Sequence, residues 1–88
     1  MKEFEDLTEI ERRVLVQFCQ ANNYSLSSHI PIEAVNLNIR GVHPKHIRRA
    51  VKELISSGFI LKHPTGRQTT YKISRDGLRG GNRLREEE

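Results

Sequence analysis

Cysteine is almost absent from this sequence, because Cys19 is the single example among 88 residues. One cysteine cannot form a disulfide within the chain, so a disulfide framework is excluded. A lone thiol also fits a reducing compartment, and we expect a cytoplasmic location. No apolar run approaches the roughly 18 residues of a membrane span, and the acidic start over residues 1–6 is unlike a signal peptide. We therefore expect no membrane partner.

Motifs of catalysis and metal binding are also missing. The sequence has no nucleophile elbow and no phosphate-binding glycine loop, and its acidic residues concentrate towards its two ends. The spacing of the four histidines is irregular and lacks the paired pattern typical of zinc ligands: His29, His43, His46 and His63. We therefore expect a protein that is not an enzyme, needs no metal or other cofactor and shows no small-molecule ligand.

Positive charge, in contrast, is abundant in one segment. Residues 40–75 contain nine lysines and arginines and one glutamate, a net charge of +8, whereas residues 1–39 carry −3 and residues 76–88 carry −1. Clustered cations of this kind indicate a polyanionic partner. A solvated basic surface without a partner is the alternative, and charge alone does not distinguish the two.

An amphipathic helix is predicted near the start of the chain. Thr8 and Glu11 have the spacing of a capping box, so the helix should begin near Thr8 and end at Asn22-Asn23. Apolar residues with helical spacing form its predicted buried stripe: Leu7, Ile10, Val14, Phe18 and Ala21, with Leu15 at the edge. Val16 and Cys19 fall outside this stripe, which predicts surface positions or a dimer contact.

Two further helices and a hairpin follow. A short helix is predicted over residues 32–37, after a loop that has room for a short strand near His29-Ile30. A third helix is predicted over residues 44–57, with His43 near its cap and Gly58 just after its end. Its apolar side contains Ile47, Ala50, Val51, Leu54 and Ile55, and its other side is basic.

The predicted hairpin has one strand over residues 59–63, a turn over residues 64–66 and a returning strand over residues 69–74. Tyr71 and Ile73 alternate with Thr70 and Lys72, so the first pair should face the core. Beyond Arg75 the chain is rich in glycine and charge, which predicts a flexible tail over residues 76–88, with at most a frayed helical turn.

This order of elements resembles the winged helix-turn-helix domains of small bacterial and archaeal transcriptional regulators of the MarR/ArsR type. Residues 41–60 match the family's short turn, recognition helix and Leu-x-x-x-Gly step, and residues 66–74 match its wing. The resemblance implies an α+β winged helix over residues 7–75, with a three-helix bundle and a C-terminal β-hairpin. The chain departs from the pattern at His43-Pro44, where Ser or Thr usually caps the helix, and shows no long dimerisation helix after the wing.

The resemblance implies a DNA-binding protein that regulates transcription. Helix 44–57 would enter the major groove of double-stranded DNA, and wing 59–74 would lie on the backbone or minor groove. The implied contact residues are His43, Lys45, His46, Arg48, Arg49, Lys52, Lys62, Arg67, Gln68 and Lys72. Arg48 or Arg49 can read guanine with two hydrogen bonds, whereas lysines more often hold phosphates. A module that binds protein or RNA is the alternative, and a homodimer stays open.

Overall fold

Three helices and a three-stranded antiparallel sheet make up the fold, which comes from a computed structural model that describes residues 1–87. In chain order the elements are α1 (Glu9–Ala21), β1 (Ile30–Pro31), α2 (Pro44–Ser56), β2 (Ile60–Pro64), β3 (Thr69–Ile73) and α3 (Arg75–Glu86). Single 3₁₀ turns are formed by Phe4–Asp6 and Ile32–Ala34. The predicted α+β class is confirmed, although two elements differ from the prediction. None of the described helices has the length and apolar character needed to cross a bilayer.

Helix α1 begins and ends as its sequence predicts. The Thr8 hydroxyl accepts a hydrogen bond from the Glu11 backbone N–H at 3.1 Å, and the Glu11 carboxylate accepts from the Thr8 N–H at 2.9 Å. This reciprocal pair satisfies donors that the first turn would otherwise leave open. At the other end Asn23 adopts a φ of 54°, a left-handed conformation that asparagine tolerates.

Residues 75–86 form a helix, so the prediction of a flexible tail over residues 76–88 is wrong for these residues. The last residue of the predicted tail, residue 88, lies outside the described part of the chain. The Ser74 side chain caps α3 by accepting a hydrogen bond from the Gly77 N–H at 3.0 Å. The buried face of α3 consists of three glycines, Gly77, Gly80 and Gly81. Each glycine weakens a helix by about 1 kcal/mol relative to alanine, which is why the sequence suggests a tail. Because these residues are small, α3 packs closely against α1 and against the backbone of Phe59, which immediately precedes β2.

Cys19 lies in the core, and its predicted surface position is wrong. Its sulfur donates a hydrogen bond to the Gly77 carbonyl at 3.6 Å, and Gly81 lies against the same sulfur. Burial raises the pKa of the Cys19 thiol to about 12, so the thiol is neutral at physiological pH. The side of α1 that looked unpartnered in the sequence is therefore covered by α3.

The predicted helix over residues 32–37 is also wrong, because only Ile32–Ala34 make a single 3₁₀ turn and Val35 is extended. Six residues form too few hydrogen bonds to offset the cost of nucleating an α-helix. Val35 and Ile39 are instead buried in the core. The short strand suggested near His29-Ile30 is present as β1, which pairs with β3.

The sheet has the order β1-β3-β2, and its inner face completes the core. Ile60 pairs with Ile73, and both are fully buried, as is Leu54 of α2. The Tyr71 ring meets Phe18 of α1 edge-on, with centroids 6.0 Å apart. The prediction that Tyr71 and Ile73 face the core is confirmed.

Candidate nucleic-acid interface

Helix α2 starts at an unusual cap. The His43 Nδ1 accepts a hydrogen bond from the Lys45 backbone N–H at 3.1 Å. Pro44 occupies the first helical position, where its missing N–H leaves no donor unsatisfied. At the far end Gly58 has a φ of 81° and ends the helix as predicted. The helix therefore runs from Pro44 to Ser56, and its helical period decides which side chains share a face.

One side of α2 is buried and the other is cationic. Ile47, Ala50 and Leu54 are buried, whereas the polar candidates on this helix and its cap are all exposed: His43, Lys45, His46, Arg48, Arg49 and Lys52. At about 100° per residue, Lys45 and Lys52 lie nearly opposite the centre of the buried stripe. These two lysines therefore form the middle of the exposed face.

Arg48 and Arg49 flank the two lysines on opposite sides. Arg49 and His46 line a shallow cleft together with Thr8, Ile10 and Glu11 from the start of α1. Arg48 lies on the side of α2 that turns away from this cleft. Two neighbouring arginines that look equivalent in the sequence therefore have different surroundings.

The strand register separates the two lysines of the wing. Lys62 pairs with Tyr71 and shares the inner face of the sheet, on which α1 and α2 pack. Lys72 pairs with Leu61 and lies on the outer face. Directly opposed residues share one face of a sheet and successive residues alternate, so the two lysines cannot point to the same side. The sequence alone did not reveal this separation.

Arg67 and Gln68 lie at the tip of the wing. The Thr65 N–H donates to the Gln68 carbonyl at 2.9 Å, and the Gln68 N–H donates to the Thr65 hydroxyl at 3.1 Å. Both side chains are exposed. The turn thus holds its backbone through internal hydrogen bonds and presents Arg67 and Gln68 at the far end of the hairpin.

Two histidines far apart in the sequence meet at the sheet. The rings of His29, just before β1, and His63, in β2, have centroids 4.4 Å apart. Sequence reasoning did not find this pair, because nothing in the histidine spacing indicates that β1 and β2 flank β3. Within residues 1–87, no group of three or more His, Cys, Asp or Glu side chains is arranged to hold a metal ion.

Two of the cations of α3 contact residues elsewhere in the chain. Arg83 lies 3.4 Å from the Glu5 carboxylate and 4.8 Å from the centre of the Phe4 ring, and Arg85 stacks over Tyr24 at 3.8 Å. The cations of α2 and the wing differ, because none of them forms an ion pair within the described chain: Lys45, Arg48, Arg49, Lys52, Lys62, Arg67 and Lys72. Seven of the twelve lysines and arginines without an ion pair among the described residues therefore lie on α2 and the wing.

The N-terminal segment ties α1 to the end of α2. The Lys2 ammonium lies 2.8 Å from the Glu11 carboxylate, and the Lys2 backbone N–H donates to the Ser57 hydroxyl at 3.1 Å. Burial by itself would raise the pKa of Glu11, but hydrogen bonds from Lys2 and Thr8 outweigh it and lower that pKa below its usual 4.5. The hydrogen bond with Glu11 is the main cause that raises the pKa of Lys2 above 10.5.

These shifts predict how the stability of the fold depends on pH. Because the pKa of Glu11 is lower in the folded chain, its contribution is present above pH 4.5 and is lost as the pH falls through the folded pKa. We expect Lys2→Met to lower the melting temperature at pH 7 by about 2–5 °C, the size expected of one partly exposed pair.

Melting curves between pH 3 and pH 7 test this prediction. The difference in melting temperature between the unaltered protein and the Lys2→Met variant should shrink on acidification, since protonated Glu11 no longer attracts Lys2. Arg13→Met, which removes an exposed cation of α1 without an ion pair among the described residues, is the control. A difference that stays constant over this range would contradict the assigned ion pair.

Comparison with known proteins gives one informative similarity. No protein-family model matches the sequence, and no curated protein matches it significantly. The crystal structure of a possible HxlR family transcriptional factor from Thermoplasma volcanium GSS1 is similar, with a TM-score of 0.59 and 20% sequence identity. The similarity covers 88% of this chain and 65% of that one, so this chain spans about two thirds of its length. At this identity the match shows the winged-helix fold, and it favours no MarR or ArsR subtype.

Proposed function

We propose that the protein binds double-stranded DNA and regulates transcription, with α2 in the major groove and the β2–β3 wing on the backbone or in the minor groove. The observation that carries the proposal is the set of cations on α2 and the wing, all exposed except the half-buried Lys72, that have no acidic partner in residues 1–87. Unpaired cations on one surface repel one another and gain most from a polyanion. The similar Thermoplasma protein, described as a possible transcriptional factor, supports the same function.

The geometry suggests different roles within the proposed interface. Lys45 and Lys52, in the middle of the exposed face of α2, would contact phosphates and hold the helix in the groove. Arg48, on the side away from the α1 cleft, is the better candidate for reading guanine, because Arg49 already lines that cleft beside Glu11. On the wing, Lys62 shares the face that packs towards α2, whereas Lys72 would contribute only from the outer face.

The salt dependence of duplex binding tests the proposed function. Fluorescence anisotropy with a labelled duplex of about 20 base pairs should show an affinity that falls steeply as salt rises. Contacts to about four or five phosphates would give a slope of roughly −4 in a plot of log affinity against log salt concentration. Absence of binding at low salt, or a slope near zero, would overturn the proposal.

Two further experiments distinguish binding of duplex DNA from binding of RNA or of a protein. A structured RNA that displaces the duplex at equal or lower concentration would favour an RNA-binding role. A stable complex with an acidic protein, formed without any binding of duplex DNA, would favour a protein-interaction module.

Selection of bound sequences from a random DNA pool would identify the target site. A motif with two-fold symmetry and half-sites about 34–36 Å apart would indicate a dimer.

A further inference from the structure

The hydrogen bond at the start of α2 decides which ring nitrogen of His43 carries a hydrogen. Nδ1 accepts from the Lys45 N–H, so it must present a lone pair. A neutral imidazole with a free Nδ1 carries its hydrogen on Nε2 and is a donor at that atom. The Nε2–H group therefore points away from the helix backbone.

This donor is left unused by the protein. The His43 side chain is exposed, and no group in residues 1–87 accepts a hydrogen bond from it. The neighbouring His46 ring stands edge-on with its centroid 6.4 Å away, and the two rings are not hydrogen-bonded to each other. His43 is the N-cap of α2, two residues before Lys45 and five residues before Arg48.

We propose that His43 donates a hydrogen bond through Nε2 to the bound nucleic acid while its Nδ1 holds the start of α2. The acceptor would be a phosphate oxygen or the O6 or N7 atom of a guanine. This inference rests on the proposed binding of DNA. The proposal also explains why histidine occupies this position although serine or asparagine is a better cap. In the imidazole ring, Nδ1 forms the cap and Nε2 is left to contact the nucleic acid. The cap further fixes the ring, so little side-chain freedom is lost on binding.

Two substitutions in the full chain separate the roles of the two nitrogens. His43→Asn retains a strong capping side chain and removes the ring donor, whereas His43→Ala removes both. We expect His43→Asn to leave the melting temperature unchanged or slightly raised and to weaken duplex binding about tenfold. His43→Ala should lose several degrees of melting temperature as well as this affinity.

Chemical synthesis of the 88-residue chain allows a sharper test. Methylation of Nε2 keeps the ring and the cap but blocks the donor, so affinity should fall with no loss of stability. Methylation of Nδ1 should instead destabilise the fold. Loss of affinity confined to the selected sequence would assign a base acceptor, and equal loss on an unrelated duplex would assign a phosphate.

The outcomes distinguish this inference from the function on which it rests. If His43→Asn and the Nε2-methylated chain bind the duplex as tightly as the unaltered protein, His43 is a cap alone and the inference is overturned. If the unaltered protein binds no duplex at low salt, the proposed function itself fails. In that case the stability of the two methylated chains still reports whether Nδ1 forms the cap.

Discussion

Replacing Gly77 with alanine is expected to destabilise the protein by about 3 kcal/mol, which lowers the melting temperature by roughly 12–24 °C in a domain of this size. A Cβ atom at Gly77 would overlap the carbonyl oxygen of Phe59. That oxygen accepts hydrogen bonds from the Ser74 N–H and the Ser74 hydroxyl, each at 3.1 Å. The clash is therefore with a backbone oxygen that two hydrogen bonds from Ser74 hold in place, and α3 must move away.

The higher helix propensity of alanine opposes this destabilisation, but its effect is smaller. Alanine favours a helix interior by about 1 kcal/mol relative to glycine, which would stabilise α3 if the site had space. Overpacking against a fixed backbone atom outweighs this gain. Differential scanning calorimetry gives the net result, and the loss of helical signal in circular dichroism would show whether α3 detaches.

Gly66→Ala is the matched control. Gly66 lies at the tip of the wing, has open space within 4 Å of the position that an alanine Cβ would occupy, and does not require a positive φ. We expect its effect on the free energy of unfolding to stay within about 0.5 kcal/mol. If Gly77→Ala proved as harmless as Gly66→Ala, the close packing of α3 against the backbone of Phe59 would be wrong.

The second large effect is expected on DNA binding. Replacing Lys45 and Lys52 together with alanine should weaken binding about 100-fold, because two charge-assisted contacts of about 1.5 kcal/mol each are lost. The loss should be similar on every duplex, since phosphate contacts carry no sequence information. The slope of log affinity against log salt should become shallower by about 1.8.

A variant with the same net charge controls for nonspecific electrostatics. Arg13→Ala with Arg79→Ala removes two exposed cations from α1 and α3, outside α2 and the wing. We expect this double variant to bind duplex DNA within about threefold of the unaltered protein, a residual effect of net charge. Anisotropy titrations at one salt concentration compare the two variants directly. Equal losses in both would mean that total charge, and not the face of α2, governs binding.

The parts of the fold that were predictable are those specified by neighbouring residues. The capping box at Thr8 and the stripe through Val14 and Phe18 are local signals, and α1 follows them. In the same way, Gly58 ends α2, and the alternation of Tyr71 and Ile73 sets the inner face of β3. In each case the deciding interactions lie within about one helical turn or one strand, so a single sequence suffices.

Two wrong predictions have a shared cause in distant contacts. The glycines of α3 disfavour a helix locally, and only the approach of Cys19 and Phe59 makes their small size an advantage. The segment after β1 contains apolar residues that suggest a helix, but Val35 and Ile39 are drawn into the core from a largely irregular chain. Local propensity amounts to about 1 kcal/mol per residue or less, and burial readily exceeds it.

The same distinction between local signals and contacts of distant residues applies to the candidate interface. Composition and helical period by themselves determined that residues 40–75 are strongly basic and that α2 has one apolar and one cationic side, because charge and periodicity are properties of the sequence. Only the tertiary structure decided that Arg49 lines the cleft beside α1, that Lys62 and Lys72 lie on opposite faces, and that His43 points its Nδ1 into the helix. Those facts depend on strand register, helix packing and one hydrogen bond, each of which joins groups whose relative positions exist only in the folded chain.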